Sequence, residues 1–137
     1  MTALAAPACN LAEEDPVALI AERAGPGAVD CGAAGVWWDD LPPAPARACA
    51  LDAMAAGAPF FVTIDEGVFD GRLTVGFASD GTTFTKLDYE AAYGMFPGTD
   101  SEELRWEACA WLESRGVDCP TLTRDLCLAC VGATPIM

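Results

Sequence analysis

The stretch Ser101–Gly116, "SEELRWEACAWLESRG", fits two periods, and the choice between them decides the fold. Thr99 and Glu102 stand three apart as a capping box, Leu104, Ala108, Trp111 and Leu112 recur at helical spacing, and Gly116 can terminate the run. Leu104, Trp106, Ala108 and Ala110 also alternate, as the inward residues of an edge strand would. Signals at both ends weigh toward the helix. On that choice the sheet has to be built from the residues before it.

Upstream, Asn10 with Glu13, or Asp15 with Pro16, can open a short helix through "VALIAERA" that stops at Gly25. Residues 25–45 carry so much Gly and Pro that they read as a linker or wrapped loop, with Trp37 and Trp38 either plugging the core or facing a ligand. Ala46–Ala56, "ARACALDAMAA", is an Ala-rich helix with Cys49, Ala53, Ala56 and Met54 on one side, ending at Gly57. Pro59–Ile64 then turns to β formers. "RLTVGFASDGTTFTKLDY" is the strongest hairpin signal in the chain. A three-residue loop, Ser79–Gly81, pairs Val75 with Thr85 and Leu73 with Leu87, putting Leu73, Val75, Phe77, Leu87 and Tyr89 on one buried face and Phe84 on the other. From Val117 onward the tail has no period and three cysteines, so it needs covalent help to stay folded. The expectation is α+β: a flexible N-terminal tail over 1–12, then one domain over 13–137. In that domain the Ala-rich helix packs on an antiparallel sheet of three or four strands, with flanking helices and a disulfide-tied tail.

Composition narrows the function. The 137 residues hold 21 acidic and 7 basic side chains, a net charge of −14, with a single lysine. That field repels phosphate backbones, which argues against nucleic-acid binding, and no stretch is long and apolar enough to span a bilayer. The chain has no histidine. Its absence removes Ser-His-Asp and Cys-His nucleophiles, His metal ligands and His proton shuttles together, so no catalytic residue is assigned.

Seven cysteines exceed ordinary cytosolic usage and favour an oxidising compartment, secreted or cell-envelope. Cys9 follows the small-residue run "ALAAPA" and is a candidate lipid acceptor or free thiol. The other six, Cys31, Cys49, Cys109, Cys119, Cys127 and Cys130, allow 15 connectivities. The expected set is Cys31 with Cys49, plus bridges among the last four. A zinc site would need four thiolates, and only one CxxC is present, so no cofactor is expected. Cys127 and Cys130 lack the strand-then-helix setting that activates a redox CxxC. Asp65, Glu66 and Asp70 in "TIDEGVFDG" are the weak metal candidates, without calcium-loop spacing.

"CALDAMAAGAPFFVTID", a cysteine on an Ala-rich helix running through Gly-x-Pro-Phe into a strand, resembles a segment of cysteine-rich secreted or lipoprotein-like proteins of high-GC bacteria, the myxobacterial type. The resemblance spans about residues 31–90. It implies a structural role for Cys31 and Cys49 and no particular activity. The functional expectation is a non-catalytic extracytoplasmic binding or structural domain, its ligand a protein or small molecule. The alternatives are an intracellular acidic inhibitor or adaptor docking a basic protein surface, and third, a thiol redox protein working through the C-terminal CxxC.

Overall fold

A computed structural model describes residues 15–35, 43–66, 71–94, 98, 100–115 and 126–136. The first helix, α1 (Pro16–Ala24), starts at Asp15, whose carboxylate accepts the Val17 N–H at 3.0 Å, and ends at Gly25 with φ +92°. Strand β1 (Val29–Gly35) leads to α2 (Pro43–Ala56), which stops at Gly57, φ +66°. Its buried stripe is Ala46, Ala50 and Ala53, while Ala56 is exposed. Then come β2 (Phe60–Asp65), β3 (Gly71–Ser79), β4 (Phe84–Ala92), β5 (Ser101–Cys109), β6 (Trp111–Ser114), β7 (Leu128–Val131) and β8 (Thr134–Ile136).

Six of these form one sheet in the order β1-β2-β3-β4-β5-β8, and β6 and β7 form a separate ribbon. Only β1 and β2 run parallel, with α2 in the connection between them. One face of the sheet carries α1: Ile20 and Ala24 pack with Ala78 and Leu87, and Phe61, Leu104 and Trp106 adjoin them. The other face carries α2 and the ribbon, where Ala46, Ala50 and Ala53 meet Phe60, Val62, Ile64 and Phe77, and Leu112, Leu126 and Leu128 join them.

The expected α+β domain, a helix on three or four antiparallel strands, is therefore corrected: the described residues are mostly strand, in a six-stranded mixed sheet plus a two-stranded ribbon, with two helices. Three local reasons account for the change. Residues 101–115 hold no helix, because residues 101–109 extend along β4 in nine consecutive pairs and their alternation outweighs the end signals. Glu102, assigned to a capping box, instead accepts the Tyr89 hydroxyl at 2.8 Å. Within the supposed linker, Val29–Gly35 is an edge strand, interrupted by a bulge between Asp30 and Ala33 where Gly32 takes φ +92°.

The hairpin register also differs. Asp80 accepts the N–H groups of Thr82 and Thr83, closing a four-residue loop that pairs Ser79 with Phe84, Val75 with Asp88 and Leu73 with Glu90. Leu73, Val75 and Phe77 consequently face α2, and Leu87 and Tyr89 face α1. A three-residue loop keeps one apolar face whole, which matters only where a single face is buried. The sheet is covered on both faces, so no such constraint operates. Phe84 does lie opposite Leu87's face, half-buried against the α2-side core. The tail from Val117, read as aperiodic, supplies β7 and β8.

Candidate functional site

The α1 helix covers β2, β3 and part of β4. Over β5 and β8 no described helix covers the same face. Cross-strand pairing lines up the side chains there: Tyr89 with Leu104, Leu87 with Trp106, Thr85 with Ala108, and Trp106 with Ile136. Leu104, Trp106, Ala108 and Ile136 are all half-buried, so they form an apolar shelf beside the helix. Arg23, in the last turn of α1, lays its guanidinium over the Trp106 ring, 5.2 Å from the centroid.

Two clefts meet on this shelf. One, of 450 Å³, is lined by Leu19, Glu22, Arg23, Trp106 and Ile136. The other, of 520 Å³, shares Arg23 and Ile136 and extends past Ala108 and Thr85 to the β3–β4 turn at Asp80 and Thr83. Each lies within the size range of small-ligand and side-chain pockets. The Asp80 carboxyl is held well below the usual carboxylate range, first by the Thr83 backbone N–H, then by the Thr82 N–H and hydroxyl. It is therefore a fixed negative charge and a poor proton acceptor at neutral pH. The site offers an aromatic face, a cation, an anion and apolar walls.

The residues singled out from sequence lie elsewhere. Cys31 and Cys49 are joined in a disulfide that ties β1 to α2, and Cys109 and Cys130 in one that ties the end of β5 to the ribbon. Cys127 is disulfide-bonded as well. Cys130 being bonded to Cys109, the CxxC is not a dithiol pair, and the redox alternative loses its chemistry. Asp65 makes a 3.4 Å ion pair with Arg72, and the Glu66 N–H donates to the Leu73 carbonyl, so both serve the β2–β3 junction. Among the described residues no cluster of three or more metal-ligating side chains occurs. Cys9, Trp37, Trp38, Asp70 and Cys119 fall outside the described residues.

Trp106 and Arg23 were not singled out as site residues. The alternation of Leu104, Trp106 and Ala108 was the available signal, since an exposed-edge strand that keeps a Trp on one face presents it to whatever covers that face. No family model, curated protein or solved structure matches the chain.

Proposed function

We propose that the protein is a non-catalytic binding domain of an oxidising, extracytoplasmic compartment, and that it takes its ligand on the Trp106 shelf beside α1. The observation that carries this reading is the part of one sheet face, over β5 and β8, that no described helix covers, with two clefts that share Arg23 and Ile136 beside an Arg-stacked Trp106. A mobile ligand gains affinity when its receptor is already ordered, and a cross-linked sheet meets that condition. The bridges favour the oxidising compartment over the intracellular adaptor, because cytosolic reductants keep such thiols reduced. The resemblance to cysteine-rich secreted and lipoprotein-like proteins points the same way. Among the described residues no helix is long and apolar enough to cross a membrane.

Two measurements test it. Intact mass with alkylation before and after reduction should show Cys31, Cys49, Cys109, Cys127 and Cys130 alkylated only after reduction; a native chain that alkylates at these positions rejects the oxidising compartment. A random displayed-peptide library panned on the native protein, with counter-selection on Trp106→Ala, should enrich sequences that the variant does not retain. No enrichment over the variant rejects the shelf as the binding site.

A further inference from the structure

We infer that the outer edge of β5 at Leu104 receives a basic, extended segment of a partner protein, added in line with β8. This inference rests on the Trp106 shelf being a binding site and names what occupies it. The backbone supplies the first argument. β8 pairs with β5 only through Trp106, Glu107 and Ala108. Pro135, opposite Glu107, has no N–H, so that pair is of the non-bonded kind and the exchanged hydrogen bonds fall on Trp106 with Ile136 and Ala108 with Thr134. By the two-residue period of a strand, Leu104 points its N–H and C=O to the same side as Trp106, away from β4. Among the described residues no strand lies opposite Leu104 on that side. Ser101, Glu103 and Arg105 around it are exposed.

An added strand here is geometrically tied to the clefts. The partner residue opposite Leu104 emerges on Trp106's face, at the start of the shelf, while its neighbour opposite Glu103 emerges on the far face. The opposite edge of the sheet is unsuited to the same use. There the bulge at Asp30–Ala33 and the Cys31–Cys49 bridge disrupt a flat ladder.

Charge selects the partner. The chain carries a surplus of 14 negative charges, and four of its seven cations are engaged internally: Arg72 with Asp65, Lys86 with Asp88, Arg105 with Glu103, Arg23 on Trp106. Asp100, Glu102 and Glu103 stand along the edge, with Arg105 as the one nearby base in that run. A second copy is disfavoured, because it carries the same surplus of 14 negative charges. The favoured segment places an apolar residue opposite Leu104 and a Lys or Arg opposite Glu103.

The probe is a capped nine-residue peptide of alternating Lys and Val, titrated onto the native full chain. Binding is expected to move the backbone amide resonances of residues 102–106, to weaken by about tenfold or more between 50 and 500 mM salt, and to weaken by about tenfold in Glu103→Lys. N-methylation of alternate peptide amides should abolish it. Unchanged affinity in Glu103→Lys, equal binding of a Glu/Val peptide, retained binding after N-methylation, or self-association through this edge each overturns the inference. If the Lys/Val peptide fails while library-selected ligands still require Trp106, the edge assignment falls and the binding domain stands. If neither binds, both fall.

Discussion

The two faces of the central sheet are closed by different means. On one, α1 rests Ile20, fully buried, over Gly76, where even a single added carbon would approach the Ile20 side chain to 3.1 Å and Thr63 to 3.3 Å. The glycine is a socket and the isoleucine fills it. Neither located bridge lies on that face. On the other, α2 buries three alanines, and alanine offers little apolar area per residue. That helix is tied to β1 by Cys31–Cys49, and the ribbon to β5 by Cys109–Cys130. The located crosslinks thus tie down a helix whose own buried side chains are small, and Ile20 holds α1 where neither of them lies. The located bridges close one face, while α1 covers only part of the other, and the part that no described helix covers is the shelf.

The comparison breaks first at sulfur. The bridges close loops spanning 18 and 21 residues, so each should contribute about 3 kcal/mol by restricting the unfolded chain. Replacing all four cysteines by alanine should cost about 6 kcal/mol, comparable with the whole net stability of a small domain, and leave the α2 face unfolded in urea titrations at 25 °C. A loss below about 1 kcal/mol on removing Cys31–Cys49 alone would mean that the alanine stripe holds α2 unaided. On the α1 face the matching injury is Ile20→Ala, expected to cost about 3 kcal/mol, because a fully buried side chain is removed over a glycine that cannot fill the space. The reverse insult, Gly76→Val, should cost about 2 kcal/mol by pushing α1 off the sheet. If Gly76→Val is neutral in thermal melts, the socket is looser than the distances imply.

The α1 face also holds a flaw that the same measurements can read. The Thr74 hydroxyl is buried without a hydrogen-bond partner among the described residues. Thr74→Val keeps the branched shape and removes the orphaned polar atom, so it should raise stability by about 1 kcal/mol. A loss instead would show that the hydroxyl finds a partner in solution.

How far this architecture was legible from sequence follows from the same contrast. Signals that act within a few residues were readable: Asp15-Pro16 and Gly25 bound α1, Gly57 ends α2, and Asp80-Gly81 marks the hairpin. Signals that depend on what lies across the sheet were not. Val29–Gly35 has no strand propensity of its own and is extended because Phe60–Asp65 pairs with it. Glu102 and Gly116 imitate helix ends, yet nine pairs to β4 override them. Both errors led to a third, the assumption of a single buried face, which set the wrong hairpin register. The shelf was missed for the same reason: Trp106 gains meaning only when α1 is known to stop short of it.

The smallest effect separates the turn from both faces. Asp80 closes the loop between β3 and β4, the two strands on which both cores rest, while its own side chain is fully exposed. Its carboxyl pKa is lower in the folded chain than the roughly 3.9 of an unfolded aspartate, because the Thr83 and Thr82 N–H groups bond the charged form. A lowered folded-state pKa stabilises the fold above the unfolded value, and that contribution is lost as pH falls toward the folded value. The melting-temperature gap between the native chain and Asp80→Ala should therefore be constant from pH 7 to about pH 5 and narrow steadily below about pH 4. A gap that stays unchanged down to pH 2 would mean that the turn is held by the strand pairing on either side of it and not by the Asp80 carboxylate. The four-residue register, and the division of apolar residues between the two faces, would then have to come from the packing of α1 and α2 alone.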